Sequence, residues 1–101
     1  MITVILSHEV KDYSIWKKEF DIEAPNRLRM SVSLSGVYQA IDNPNQVTVI
    51  TEIPSVEAFK AFMATPDLKT AMEKGGVIGM PDVKILSKIW FRSLCLKVGL
   101  I

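Results

Sequence analysis

Apolar residues recur along this chain with two different periods. Ile2 to Ser7 is apolar at both parities, which reads as a strand. Asp12 then offers a helix N-cap. Tyr13, Trp16, Phe20, Ala24 and Leu28 follow at three- and four-residue steps and mark one helical face. Lys17, Lys18, Glu19, Asp21 and Glu23 cover the other faces. Pro25 lacks an N–H and crowds the carbonyl of Asp21, so a kink or restart is expected there. From Ser31 to Ile41, Val32, Leu34, Gly36 and Tyr38 alternate with Ser33, Ser35, Val37 and Gln39, a strand pattern. Asp42-Asn43-Pro44-Asn45 supplies a turn. A second strand, Gln46 to Ile53, completes a hairpin.

Pro54-Ser55 stops that strand and caps a helix whose apolar face is Val56, Phe59, Phe62 and Met63. Thr65-Pro66-Asp67 breaks it and restarts a second piece, with Thr65 as N-cap and Pro66 at the first helical position. Leu68, Ala71 and Met72 continue the stripe, and Gly75-Gly76 ends it. A loop from Val77 to Pro81 leads to a last strand at about Asp82 to Ile89. The order is β-α-β-β-α-β. It predicts an α+β, ferredoxin-like protomer with an antiparallel sheet and both helices on one face.

The second sheet face should then alternate to polar residues if water covers it. It is instead half apolar. Ile5 opposes Ile2, Val4 and Leu6; Ile50 opposes Val47, Val49 and Ile53; Leu86 opposes Val83 and Ile85. If the more apolar parity faces the helices, the open side carries Thr3, Ile5, Ser7, Ser33, Ser35, Val37, Gln39, Thr48, Ile50, Glu52, Lys84 and Leu86. A bulge would swap the parity and with it this set. A partner covers such a face or a cavity lies on it, and a homodimer would do both. Residues 90–101 form an apolar extension in which Leu94, Leu96, Val98 and Leu100 alternate with Cys95, Lys97 and Gly99, so it reads as an extra strand.

Composition narrows the function classes. The chain has 101 residues, 49% of them hydrophobic, which suits one domain with a core. The net charge of +1 gives no broad attraction to nucleic acid or anionic membrane. Cys95 is the single cysteine and His8 the single histidine, so one chain has no intramolecular disulfide and no all-His/Cys zinc site. A cytoplasmic location is the default. The apolar N-terminus is too short for a signal peptide, and the C-terminal run contains Arg92 and Lys97, so no membrane span is expected.

The motifs Val10-Lys11-Asp12-Tyr13-x-x-Trp16 with Phe20, Gly36-Val37-Tyr38, Asp42-Asn43-Pro44-Asn45, Ser55-Val56-Glu57-Ala58, Pro66-Asp67-Leu68-Lys69-x-Ala71-Met72 and Gly75-Gly76-Val77-x-Gly79-x-Pro81 carry a resemblance. Residues 1–89 resemble the dimeric α+β-barrel superfamily of small bacterial proteins, which includes antibiotic-biosynthesis-monooxygenase-like, cyclase-like and muconolactone-isomerase-like members. The resemblance implies a dimer in which two sheets pair, with a pocket inside the barrel or between each sheet and its helices. It also implies a small, partly apolar organic ligand, bound and in the enzyme version turned over without metal or flavin. The rivals are a non-catalytic carrier or sensor and an assembly module with a filled barrel. A cavity with convergent polar groups separates the first two from the third.

His8 and Glu52 are the candidate proton carriers. His8 titrates near neutrality when unperturbed, but the more ordinary reading is a polar strand-end residue bonding the loop. Glu9 points the other way and makes a poor partner. Glu52 sits in the open cleft, either paired with Lys84 or left for a ligand, and only the unpaired state suits acid–base work. Ser7, Ser33, Ser35, Gln39, Thr48 and Lys84 are the candidate ligand-binding residues on that wall. Trp16, Tyr13, Phe20 and Tyr38 read as core or as an aromatic wall, and Met30, Met63, Met72 and Met80 as gap fillers. Arg27, Arg29, Lys17 and Lys18 read as a solvated basic face. The glycines at 75, 76 and 79 follow a helix and so are no dinucleotide fingerprint; a mobile lid is their other reading. No motif supports a Ser-His-Asp triad.

Overall fold

The β-branched and apolar run at the N-terminus forms β1 (Ile2–Val10) at the centre of the sheet. This is a computed structural model, and it describes residues 1–89. The expected strand within 90–101 lies outside those residues. Asp12 is extended (φ −152°), and its carboxylate accepts the Ser14 N–H at 2.8 Å, which starts α1 (Tyr13–Ile22). Asn45 braces the junction: its Oδ1 accepts the Tyr13 N–H at 3.0 Å. Pro25 falls in the first turn of a separate helix, α2 (Ala24–Arg29), where its missing N–H costs nothing. The restart rotates the stripe, so Leu28 is 82% exposed rather than buried as its spacing suggested.

The hairpin is β2 (Ser33–Ala40) and β3 (Asn43–Ile53). Two helices follow, α3 (Val56–Met63) and α4 (Pro66–Lys74). Ser55 caps α3 through its side chain, accepting the Ala58 N–H at 3.1 Å. Thr65 precedes α4 without a side-chain cap; its hydroxyl donates instead to the Phe62 carbonyl at 2.8 Å. Gly76 turns the chain with φ 75°, a left-handed value that glycine adopts without strain, and leads into β4 (Val77–Ser87). Residues 77–81 are therefore strand rather than loop or lid. Val77 and Ile78 extend the ladder along Val10 and Glu9, past an irregularity opposite Ser7 to Glu9 in which β4 carries the extra residues.

All strands pair antiparallel in the order β2-β3-β1-β4, the ferredoxin-like arrangement, with the helices on one face. The register Val4↔Thr51, Leu6↔Val49 and His8↔Val47 puts these residues under the helices, while Thr3↔Glu52, Ile5↔Ile50 and Ser7↔Thr48 face the other way. In β2 the register shifts between Leu34 and Gly36. Beyond that bulge Gly36 and Tyr38 share the open face with Ile50 and Thr48, and Val37 and Gln39 move to the helix side with Val49 and Val47. The uniform parity reading is wrong for Val37 and Gln39 for this reason. Tyr38 folds back over Gly36, where a Cβ would meet the ring at 2.7 Å.

The core forms two clusters. Val4, Val32, Ile53, Phe59 and Phe62 make one; Val10, Trp16, Val47 and Val49 make the other. Met80 is 93% exposed and fills no gap. No helix among the described residues is long and apolar enough to cross a membrane.

Candidate functional site

A cavity of about 80 Å³ opens between the two core clusters, under the helices. One water needs ~10–15 Å³ by this measure, so the space suits several waters or one small organic molecule. Val4, Leu6, Val49 and Ile53 of the sheet form its floor. Trp16 and Phe20 of α1, with Phe59, Phe62, Met63, Leu68, Ala71 and Met72 of α3 and α4, form its walls. Its polar groups are His8, Thr51, Glu23 and Arg27. Largely apolar walls with a few polar groups are the usual make-up of a small-molecule site.

His8 is on β1 two residues short of the strand's end, on the parity of Val4, Leu6 and Val10, and is 5% exposed. It therefore does not bond the following loop. Its ring meets Trp16 edge-on, with centroids 5.6 Å apart. Its Nδ1 is buried with no hydrogen-bond partner among the described residues. Burial lowers its pKa from the ordinary 6.5, and an interaction with its own main chain, outside hydrogen-bond geometry, opposes this. Burial thus favours the neutral imidazole.

A row of rings leads from His8 to a cation. Trp16 stacks on Phe20 with centroids 4.9 Å apart, and the Arg27 guanidinium lies 3.9 Å over the Phe20 ring. Arg27 is buried and donates from Nη1 to the Phe20 carbonyl at 2.8 Å. Burial pulls its pKa down; the charges of Glu23 and Asp21 pull it up. It is not part of a solvated basic face, in contrast to Lys17, which pairs with Asp21 on the surface. Beside Arg27, Asn26 is 3% exposed and donates to Glu23 Oε1 at 2.6 Å and Thr65 Oγ1 at 3.2 Å, while its Oδ1 accepts from Arg29. This network ties α2 to the start of α4 at one side of the chamber.

The open sheet face carries most of the other expected residues. Ser7 and Thr48 share a hydrogen bond at 2.8 Å, and Thr3 donates to Glu52 Oε2 at 2.7 Å. Glu52 does not pair with Lys84. Lys88 approaches Glu52 at 4.0 Å, and Lys84 approaches Asp82 at 3.8 Å. Ser33 stands opposite Glu52, and Ser35 lies in the bulge. Gln39 donates to the Pro44 carbonyl at 3.0 Å across the hairpin. His8 and Glu52 are thus on opposite faces of the sheet and do not form one site. Among the described residues no group of three His, Cys, Asp or Glu stands ready to hold a metal ion.

Of the chamber's polar set only His8 stood among the expected residues, and it was not placed beneath the helices. Two residues carried a signal: His8 and Thr51 are the polar exceptions on otherwise apolar parities. Arg27 and Glu23 carried none, because the Pro25 restart decides which way they turn.

No family model matches the chain, and no curated protein matches it. Solved structures do. One, described as an antibiotic biosynthesis monooxygenase from Bordetella bronchiseptica, has TM-score 0.73 at 17% identity, covering 88% of this chain and 97% of its own. Another of that description, from Nitrosomonas europaea, has TM-score 0.70 at 14% identity, covering 89% and 100%. SnoaB, a cofactor-independent oxygenase from Streptomyces nogalater, has TM-score 0.70 at 12% identity, covering 90% and 95%. The chain shares the fold of these structures.

Proposed function

We propose that this protein binds a small, partly apolar organic molecule in the chamber between its sheet and helices, with His8 as the hydrogen-bonding and proton-accepting group. The observation that carries the reading is the cavity itself, lined mainly by apolar side chains with His8 among its few polar residues and the His8 Nδ1 sealed without a partner beside it. A buried polar atom left without a partner costs about 1–3 kcal/mol. A turn of the ring that aims Nδ1 into the chamber would let a ligand hydroxyl donate to it and remove that cost. In turnover the neutral imidazole would take the proton of that group, and the Phe20–Arg27 side of the chamber would favour the negative charge left behind. The description of SnoaB as a cofactor-independent oxygenase supports chemistry of this kind on the fold. The chamber argues against an assembly module with a filled interior.

The reading includes a homodimer joined through the open sheet face, where Ile5, Ile50, Leu86 and Tyr38 would be covered. Tyr38 is 55% and Leu86 43% exposed in the single protomer.

Calorimetric titration with p-cresol and toluene tests the site. We expect p-cresol to bind more tightly than toluene, and Ala71→Phe, which fills the chamber from α4, to abolish binding of both without unfolding the protein. Absence of binding to the wild type at millimolar concentration, or full binding to Ala71→Phe, would overturn the proposal.

A further inference from the structure

Arg27 is a cation whose donors the protein matches incompletely, and what it lacks identifies a class of ligand; this inference rests on the chamber being the ligand site. A guanidinium presents five N–H donors in a planar fork and stays charged in proteins. Donors without a protein acceptor are open to a ligand where they keep accessible surface, as the unmatched donors of Arg27 do. Arg27 is 9% exposed, yet its one protein hydrogen bond among the described residues is from Nη1 to the Phe20 carbonyl. No carboxylate oxygen of the described residues lies within 4.0 Å of it, whereas Arg29, two residues on, meets both Asn26 Oδ1 and Asp67. Glu23 and Asp21 act on Arg27 only through space. Most of its donors are thus left without a protein acceptor, and the side chain lines the chamber.

We propose that Arg27 is the specificity residue of the chamber and receives the carboxylate of a small apolar monocarboxylic acid. Three features define that ligand. The fork matches a carboxylate with two parallel hydrogen bonds. The walls of the chamber, Trp16 and Phe20 foremost, suit a ring or short hydrocarbon body. Glu23 also lines the chamber, bonded by Asn26 at 2.6 Å, and its acidic side chain disfavours a second negative group on the ligand. The stack of Arg27 on Phe20 fixes the guanidinium in advance, so little side-chain freedom is lost on binding.

Calorimetry with two acid–amide pairs, 4-methylbenzoate with 4-methylbenzamide and phenylacetate with phenylacetamide, tests this. In the wild type each acid should bind at least tenfold more tightly than its amide. Arg27→Gln should erase that ratio, and Arg27→Lys should restore part of it. A purely structural Arg27, holding the end of α1, would change stability in these variants and leave the acid–amide ratio untouched. If Arg27→Gln does not fold, the wild-type ratio and Arg27→Lys still decide. Amides binding as tightly as acids to the wild type would overturn the inference and leave the chamber proposal standing. Binding of neither series would overturn both.

Discussion

Replacing His8 with phenylalanine should make the protein more stable and less able to bind. The wild-type ring is 5% exposed and holds Nδ1 without a partner. Relieving an unmatched buried polar atom is worth about 1–3 kcal/mol. Phenylalanine keeps the edge-on contact with Trp16, and the adjacent cavity absorbs its slightly larger ring. A net gain of about 1 kcal/mol follows, which for a domain of this size raises Tm by roughly 4–8 °C. The sign of the pH dependence is also fixed. The folded-state pKa of His8 lies below its unfolded value of 6.5, so between the two the unfolded chain holds the extra proton. Wild-type stability from this group is complete above that unfolded value. It falls as pH drops toward the folded-state pKa, by no more than about 1.4 kcal/mol per pH unit. His8→Phe lacks the term, so its advantage widens on acidification. Urea denaturation between pH 7.5 and 5.5 measures both effects. A variant less stable than wild type by more than about 1 kcal/mol at the upper pH, or a difference that does not change with pH, would refute the reasoning.

Two further outcomes are expected. Asn26→Ala should cost about 2–3 kcal/mol in chemical denaturation, because Glu23, itself 6% exposed, loses its 2.6 Å donor and Thr65 loses its link to α2; a loss below about 0.5 kcal/mol would show that solvent replaces the network. The wild type should sediment as a dimer at micromolar concentration and Ile50→Glu as a folded monomer, since the substitution puts a charge at the middle of the open face; a monomeric wild type would remove the dimer.

Local chemistry made most of the fold legible. Asp12 and Ser55 announce their helices because their side chains accept N–H groups that the first turn leaves unbonded. Pro25 marks the restart, and the alternation of Val47, Val49 and Ile53 gives the helix side of β3. Strand ends were less legible. Val10 and Val77 pair because two distant segments meet, and no local signal records that. The bulge after Leu34 was equally hidden, and it alone sends Val37 and Gln39 to the other face. For the site, attention to the open face drew Glu52 forward with the wrong partner. Thr3 and Lys88 stand nearer to it than Lys84 through cross-strand geometry that spacing along one strand does not contain. His8 was legible as a residue but not as a member of the chamber, although its parity with Val4 and Leu6 already placed it there.

The central claim is that a ligand occupies the space beneath the helices rather than the open sheet face. Methyl-resolved NMR during titration with p-cresol tests it most directly, because the two locations carry different methyl groups. The chamber has Leu6, Val49, Met63, Leu68 and Met72; the open face has Ile5, Ile50 and Leu86. The account predicts saturable shifts in the first set, with the second set unmoved. Shifts confined to Ile5, Ile50 and Leu86 would contradict it.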